Sequence, residues 1–352
     1  MTGDERSRVS SGSTRVESIS PDATWLRTAV AAVRPEGSIA VVEPIEAGGR
    51  RSTVAVRFAD AAPIVVRRGG TPKAVETECA LLDAVAAETT VPVASPLGWG
   101  IPADDGGEAE TVDGDRRDAW LATRFVTGGD LHEGFVDLDP ETRRECAAAF
   151  GRYLAELHAA FRFDGYGPIA DDDGALRAVD PEPDTGSDRL AAWRRWLVER
   201  GRESLDRLPP EFDDVAATAG ERLDAWRPEA APTPRLYPWD LRPGNAVVAD
   251  GSIAAVVDWE RPLAADAALS VAKTEHLVAD WYVPEEAPAL RRAFRSEYAG
   301  VRPVPTVEAV HRIVAVAETA VDSRGRVTNP RYPPVGRDAA VRFHRRRLED
   351  AM

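Results

Sequence analysis

The spacing of apolar residues changes near residue 127, and this change most limits the folds open to the chain. Before it, short apolar runs alternate with turn-forming residues, as in an antiparallel sheet. This pattern predicts strands over residues 39–42, 53–58, 63–66, 91–99 and 119–126, with helices over 24–33 and 73–87. After it, apolar residues recur at helical spacing. That spacing predicts helices over residues 140–161, 190–200, 215–226 and 288–298.

The predicted fold class is therefore α+β with two lobes. Residues 1–22 are rich in Ser, Gly and charge, which predicts a disordered tail. Residues 23–127 are expected to form a small lobe around an antiparallel sheet, and residues 128–352 a larger, mainly helical lobe. Asp, Pro and Gly accumulate over residues 171–188, which predicts a loop there.

The composition disfavours several kinds of partner. A net charge of −15 opposes binding to nucleic acid or to an anionic membrane surface. No apolar run is long enough to cross a bilayer, and the polar start lacks the apolar segment of a signal peptide, so we expect a cytoplasmic protein. Lys73 and Lys273 are the only lysines among 44 basic residues, and this acid-rich, Lys-poor usage resembles proteins of halophilic organisms. Cys79 and Cys146 lack metal-ligand spacing, which favours buried thiols over a disulfide or a zinc site.

A β-hairpin is predicted around Asp250-Gly251, because this pair favours a tight turn between two short apolar runs. Antiparallel pairing of those runs would bring Asn245 and Asp258 together at the open end. A hard cation such as Mg²⁺ is held by one or two such oxygen ligands, with phosphate and water completing its shell. The hairpin thus predicts a site for a metal-bound nucleotide. The alternative for both side chains is simple hydrogen bonding at the end of the hairpin.

Asp240 precedes Asn245 by the interval D-x-x-x-x-N. Protein kinases use this spacing in their catalytic loop, where the Asp takes the hydroxyl proton and the Asn binds a metal. We therefore take Asp240 as the candidate that orients an acceptor hydroxyl and accepts its proton. The alternative is an ordinary turn or helix-cap Asp.

These motifs together resemble the aminoglycoside phosphotransferase family, also called the phosphotransferase enzyme family. DLRPGNAVV resembles its catalytic loop and VVDWE its second acidic motif, with further similarity in VPVASPLG, LATRFVTGG, GRYLAELHA and FDGYGPI. The resemblance covers roughly residues 40–280. It implies a protein-kinase-like two-lobed fold, with a small antiparallel-sheet N-lobe and a mainly helical C-lobe. It also implies Mg²⁺-assisted transfer of the γ-phosphoryl group of ATP, or GTP, to a hydroxyl of a small molecule.

The resemblance also implies residues that hold the nucleotide phosphates. The position of the family's phosphate-gripping lysine falls on Arg67, or alternatively on Arg68. Arg67 would contact the phosphates and pair with Glu78 on the following helix, with Glu76 as the competing partner. An ordinary surface ion pair is the alternative for this arginine.

Two backbone segments are further candidates for the nucleotide site. Gly48 and Gly49 lie in a turn between strands, where backbone N–H groups could approach phosphates, or where the chain makes a plain hairpin turn. The connector residues Arg124, Phe125 and Val126 would present backbone groups to adenine.

Three departures from the family pattern suggest a rival function. Pro238-Trp239 stand where the family has His-Gly before the catalytic Asp, and losing that His removes a contact expected to orient the loop. Ser270 replaces the last acid of a later family motif, and Arg67 replaces a lysine. The rival is a pseudo-enzyme, a nucleotide-binding regulatory protein that keeps the fold without turnover.

Overall fold

The helices and strands form in the order that the sequence predicts, with additional elements from residue 111 onward. The computed structural model describes residues 23–45, 52–102, 111–112, 115–116, 119–179 and 189–352. The helices are α1 (Thr24–Val33), α2 (Pro72–Glu88), α3 (Leu131–Gly134), α4 (Pro140–Ala160), α5 (Arg189–Asp206), α6 (Asp213–Ala225), α7 (Ala267–Glu275), α8 (Ala287–Val301), α9 (Ala309–Ala320) and α10 (Arg337–Ala351). The strands are β1 (Ile39–Pro44), β2 (Ser52–Phe58), β3 (Ile64–Arg68), β4 (Pro96–Gly100), β5 (Thr111–Val112), β6 (Asp115–Arg116), β7 (Trp120–Arg124), β8 (Gly129–Asp130), β9 (Gly167–Asp172), β10 (Ala175–Ala178), β11 (Arg235–Tyr237), β12 (Ala246–Ala249), β13 (Ser252–Val256) and β14 (Leu263–Ala265).

Two predicted elements differ from the structure. The strand expected over residues 91–99 begins only at Pro96, as β4, and before it Val93 forms an isolated bridge to Val256. Pro92 has no N–H to donate to a sheet. The loop prediction over residues 171–188 is wrong where β9 and β10 pair antiparallel, with Ala175 opposite Asp172. Asp173 and Gly174 turn that hairpin at φ +50° and +83°, so its Asp-Gly signal was hidden among other acidic residues.

The described chain divides into two units. The first comprises the described residues up to Thr71 together with Leu97–Phe125. Its sheet has the order β1-β2-β3-β7-β4, and neighbouring pairs from β1 to β7 are antiparallel. Val54, Val56, Ile64 and Val66 on the central strands form one core with apolar residues of α1, which covers this sheet. The boundary at residue 127 stays a prediction.

The second unit comprises Pro72–Pro96 and Val126–Met352. It contains the sheets β10-β9-β14-β11 and β13-β12-β8, together with α2 to α10. Its main core is aromatic and aliphatic, and Trp193, Tyr237 and Phe212 are almost fully buried there. Burial of such large side chains is the main driving force for folding of this unit.

Helices α4 and α8 cross with their backbones in contact. A Cβ atom on Gly151 of α4 would lie 2.1 Å from the carbonyl oxygen of Phe294 in α8. Asp139 fixes where α4 begins, because its carboxylate accepts hydrogen bonds from the N–H groups of Glu141 and Thr142. Because the Phe294 carbonyl lies so close, residue 151 in the middle of α4 has to be glycine.

The two cysteines differ in exposure, since Cys79 is partly buried and Cys146 is buried. Cys79 and Cys146 are free cysteines, and burial raises the pKa of each thiol to about 11. Among the helices of the described residues, none has both the length and the apolar content needed to span a membrane.

Candidate active site

Asp240 lies in a loop held at both ends by β-structure. Before it, β11 pairs antiparallel with β14, with Arg235 opposite Ala265, and Tyr237 is 1% exposed. After it, a 3₁₀ turn over Pro243–Asn245 leads directly into β12. The loop therefore starts and ends at fixed points, which restricts the positions that Asp240 can occupy.

Asn245 ties this loop together from inside. Its side-chain Nδ2 donates to the backbone carbonyl of Asp240 at 2.9 Å, and its backbone N–H donates to the carbonyl of Arg242 at 3.0 Å. Because the side-chain partner is a carbonyl oxygen, the amide nitrogen must face it, and Oδ1 points elsewhere. Asn245 is 7% exposed, and its Oδ1 accepts no hydrogen bond from the residues that the structure describes.

The predicted hairpin is confirmed. β12 and β13 pair antiparallel with Ala246 opposite Val256, and Asp250 and Gly251 turn the chain at φ +50° and +77°. At the open end, the N–H of Val257 donates to the carbonyl of Asn245 at 2.8 Å. Asn245 and Asp258 are thus brought to the same end, as the sequence predicts. Their roles as metal ligands stay predictions.

Asp240 and Asp258 line one small pocket in the second unit. Its other walls are mostly apolar: Leu81, Pro238, Trp239, Leu241, Val256, Val257, Trp259 and Pro262. Asp258 has φ +63°, a left-handed conformation that costs energy for a residue other than Gly. The hydrogen bond of the adjacent Val257 to Asn245 holds this strained position in place.

Arg242 is a site residue that the sequence analysis missed. Its Nε donates to Oδ2 of Asp240 at 2.9 Å. Burial alone would lower the pKa of Arg242, but Asp240 and, more weakly, Asp258 raise it above its ordinary value. The guanidinium therefore interacts electrostatically with both acids of the pocket. The available signal was a permanent cation two residues after the candidate base.

A second missed group surrounds the residue before Asp240. Trp239 is partly buried, and Lys273 and Arg200 lie against its ring. Both cations pair with the buried carboxylate of Glu318. Lys273 could have been singled out, since it is one of only two lysines in the sequence.

The predicted phosphate contacts fall in different units. Arg67 lies on β3 of the first unit, and Glu78 lies on α2 of the second, where it is 4% exposed. The alternatives each have a contact of their own: the guanidinium of Arg68 lies 5.5 Å from the Trp25 ring centre, and Glu76 pairs with Lys73 at 3.0 Å. The choice of Arg67 and Glu78 stays a prediction.

The backbone candidates are only partly described. Gly48 and Gly49 lie outside the described residues. Arg124 ends β7, and the N–H of Phe125 donates to the carbonyl of Pro63 at 3.3 Å. Val126 begins the second part of the chain's larger unit. The adenine-binding role of residues 124–126 stays a prediction.

A larger cavity of about 380 Å³ lies elsewhere in the second unit, between α7, α8, α9 and α10. Arginines and acids line it, and they largely pair with each other: Glu275 binds Arg295, with Nη2 at 2.9 Å, and Asp280 binds Arg291. One of its lining residues, His276, accepts a hydrogen bond from Nε1 of Trp281 at 3.2 Å, and the Trp281 ring in turn lies against the guanidinium of Arg242, the partner of Asp240. The predicted site residues Asp240 and Asp258 line the smaller pocket and not this cavity.

The fold is that of the aminoglycoside phosphotransferases, with their protein-kinase-like two-part architecture, which confirms the predicted fold class. The chain has 14% sequence identity and a TM-score of 0.59 to a thermostable mutant of aminoglycoside phosphotransferase APH(4)-Ia, solved as a ternary complex with ADP and hygromycin B, covering 92% of this chain and 96% of that one. It has 17% identity and a TM-score of 0.58 to a putative aminoglycoside phosphotransferase from Ralstonia eutropha JMP134, covering 93% and 94%. It has 17% identity and a TM-score of 0.52 to a putative fructosamine-3-kinase from Thermobifida fusca YX-ER1, covering 93% and 99%.

The sequence profile of the phosphotransferase enzyme family matches residues 41–304. This chain therefore belongs to the phosphotransferase enzyme family, and its class of activity is phosphoryl transfer to small molecules. The predicted family is confirmed. No curated protein sequence matches the chain significantly.

Proposed function

We propose that this protein transfers the γ-phosphoryl group of ATP, or GTP, to a hydroxyl group of a small molecule, with Mg²⁺. The observation that carries the proposal is the arrangement of Asp240, Asn245 and Asp258. Asn245 hydrogen-bonds the backbone of Asp240, and its own carbonyl binds the residue before Asp258. Membership of the family and the neighbour solved with ADP and hygromycin B support the same reaction.

In this proposal Asp240 orients the acceptor hydroxyl and accepts its proton. Its Oδ2 accepts a hydrogen bond from Arg242, and within the described residues no donor is recorded at Oδ1. One oxygen is thus fixed while the other is available to a substrate hydroxyl. Proton acceptance by a positioned carboxylate contributes about 100-fold or more to such reactions.

The donor atoms near Asp240 fit a hard divalent cation. Asp258 supplies a carboxylate and Asn245 an amide oxygen, the ligand types that Mg²⁺ prefers. In the described part of the chain, no group of three or more His, Cys, Asp or Glu residues is arranged to hold a metal. Two protein ligands are sufficient where nucleotide phosphates and water complete the shell. When bound, the ion would neutralise phosphate charge.

The test is a nucleotide-consumption assay across a panel of hydroxylated small molecules, with ATP and GTP, at low and high salt. Asp240→Asn keeps the size of the side chain and removes the base, so we expect turnover to fall by about 100-fold or more. Asp250→Asn is the matched control, since it removes the same charge at the other end of the hairpin, where Asp250 is exposed. Equal turnover in wild type and Asp240→Asn would rule out Asp240 as the base.

The ion pair between Arg242 and Asp240 favours a second candidate, a nucleotide-binding regulatory protein without turnover. The guanidinium of Arg242 lies 2.9 Å from one oxygen of this carboxylate and occupies it, so that oxygen is not free to accept an acceptor's proton. Thermal denaturation with Mg-ATP separates the candidates. Stabilisation at millimolar Mg-ATP with no turnover on any acceptor supports the regulatory protein, and absence of stabilisation contradicts both candidates.

A further inference from the structure

Trp239 directly precedes the proposed base and carries two cations against its ring. The Nζ atom of Lys273 lies 3.7 Å from the centre of the ring, and the guanidinium carbon of Arg200 lies 4.8 Å from it. An ammonium at this distance from an indole is attracted by the negative face of the ring. The position of Trp239 is therefore coupled to the position of Lys273.

Glu318 forms an ion pair with each of the two cations, Lys273 and Arg200. Its Oε2 lies 3.1 Å from Nζ of Lys273, and its carboxylate also pairs with Arg200. The hydroxyl of Tyr237 donates to the same Oε2 at 2.7 Å. The side chains of Lys273 and Glu318 are only 3% and 1% exposed.

These contacts bring distant elements to one point beside the catalytic loop. Tyr237 comes from β11, Arg200 from α5, Lys273 from α7 and Glu318 from α9. Asp266 fixes where α7 begins, because its carboxylate accepts a hydrogen bond from the N–H of Ala268 at 2.9 Å. The fixed start of α7 also fixes the position of Lys273 along the helix axis. Residues from three helices of the second unit, α5, α7 and α9, thus meet beside the loop that carries Asp240.

Stability alone is a poor explanation for this network. Taking charges out of water is costly, and a well-packed apolar cluster of the same volume is often at least as stable as a buried ion pair. Burial alone would raise the pKa of Glu318, but Lys273 and Arg200 lower it below its ordinary value. The carboxylate is therefore charged and needs both partners. Asp240 also acts on Lys273 electrostatically, raising its pKa against the larger lowering effect of burial.

We propose that Lys273, held by Glu318, is a positioning residue for the reaction, because its ammonium fixes Trp239 and through it the backbone that carries Asp240. This role compensates for the histidine that the family is expected to have before the catalytic Asp. The inference rests on the proposed function, since the importance of the loop's position depends on Asp240 being the base.

The first test measures the loop without using activity. Hydrogen–deuterium exchange of the peptide over residues 236–245 is followed in wild type, Lys273→Met and Trp239→Ala. Arg295→Met is the matched control, because Arg295 also pairs with α7, through Glu275 at 2.9 Å, but has no recorded contact with Trp239 among the described residues. We expect exchange in this peptide to rise at least tenfold in Lys273→Met and Trp239→Ala and less than twofold in Arg295→Met. Unchanged exchange in folded Lys273→Met overturns the proposal.

The second test separates positioning from binding. Lys273→Met is expected to lower kcat at least tenfold while the KM for ATP changes less than twofold, and Lys273→Arg is expected to recover most of kcat because the cation is restored. The double variant Lys273→Met with Trp239→Ala should lose no more than the worse single variant, since both break one contact. Additive losses, or a kcat within twofold of wild type in Lys273→Met, contradict the proposal.

Three further outcomes are distinguishable. If Lys273→Met does not fold, Trp239→Ala and Glu318→Gln carry the same exchange and kinetic measurements; Trp239 is partly exposed and packs at the edge of the main core. If wild type shows no turnover on any acceptor while exchange still rises in Lys273→Met, the proposed function is wrong. The claim that Lys273 holds the loop in position is then still supported. If turnover is present and exchange does not change, the positioning role fails alone.

Discussion

The Nε atom of Arg242 lies 2.9 Å from Oδ2 of Asp240, two residues earlier in the same loop. The guanidinium carbon of Arg242 also lies 5.7 Å from the centre of the Trp281 ring, so the cation is held between a carboxylate and an aromatic face. This pair fixes one oxygen of the proposed base and defines the direction of the other. It also places a permanent positive charge beside the site of transfer.

The first prediction concerns this guanidinium. Arg242→Gln keeps a hydrogen-bond donor of reduced length and removes the charge, so Asp240 loses its orienting partner. We expect kcat to fall by about tenfold, as for other small displacements of a catalytic group, with the KM for ATP almost unchanged. Steady-state kinetics on an identified acceptor measures both values. A rise in kcat would show instead that Arg242 restrains the base, as the regulatory candidate requires.

Removal of one hairpin acid should weaken the metal site. Asp258→Asn keeps the shape of the side chain and removes the charge that binds a divalent cation most strongly. We expect the Mg²⁺ concentration needed for half-maximal stabilisation by ATP to rise by roughly tenfold or more, because ligand charge sets affinity for hard cations. Thermal denaturation across a Mg²⁺ titration measures this, with EDTA as the metal-free reference. Asp250→Asn, which alters the turn of the same hairpin, should titrate as wild type does.

His344 predicts a loss of stability in acid. It is fully buried, and burial lowers its pKa to about 3, while its Nε2 contacts the carbonyl of Thr328 at 3.0 Å. The unfolded chain takes up a proton on this ring below a pH of about 6.5, whereas the folded protein does not until a pH of about 3. The free energy of unfolding therefore falls as the pH drops through this window.

Urea unfolding of wild type and His344→Gln at pH 7.5 and pH 5 tests this. Gln can still donate to the Thr328 carbonyl but does not titrate. Wild type should lose up to about 2 kcal/mol more than the variant between the two pH values. The other buried histidines are present in both proteins and cancel in the comparison. Equal losses would contradict the assignment of a neutral His344.

The crossing of α4 and α8 gives a prediction about folding. Gly151→Ala places a methyl group against the Phe294 carbonyl, where a Cβ has only 2.1 Å, and the rigid backbone cannot move aside. We expect a loss of about 2 kcal/mol, typical of an overpacked core. Gly300→Ala in α8 is the control, since its Cβ would meet nothing within 4 Å. That variant should gain about 0.8 kcal/mol from helix propensity. Urea denaturation compares the two, and equal stabilities would show that the helices separate readily.

Much of the fold could be predicted because local signals agree with it. The helix periodicity around Leu154 and the Asp250-Gly251 turn each point to one structure, and the structure contains both. The helices α9 and α10 were harder to predict, because α9 is apolar on nearly all sides and α10 is dominated by arginine. In α10 the buried side chains, such as His344 and Leu348, are few among the charges. The many charged side chains of α10 therefore hide the face of the helix that lies in the core.

The residues of the candidate site also divide into those that could be predicted from the sequence and those that could not. Asp240, Asn245 and Asp258 could be found because hairpin geometry links them over a short stretch of sequence. Lys273 is conspicuous by its residue type, but its pairing with Glu318 could not be predicted, because the two residues lie on different helices and are 45 positions apart along the chain. Trp239 appeared in the sequence only as a departure from the family pattern. Its compensating partners become visible once the helices are packed.

The buried position of the Lys273–Glu318 pair also determines how the loop responds to its surroundings. In exposed pairs such as Arg57–Glu43, the side chains are 47% and 49% exposed. Salt weakens the attraction within such pairs, because the Debye length falls to about 3 Å at 1 M. Dissolved ions do not reach the Lys273–Glu318 pair, because both side chains are buried beneath the Trp239 indole and the helix backbone. The alignment of the proposed base should therefore be the same in dilute buffer and in concentrated electrolyte, even as the outer charges of this acidic protein are masked.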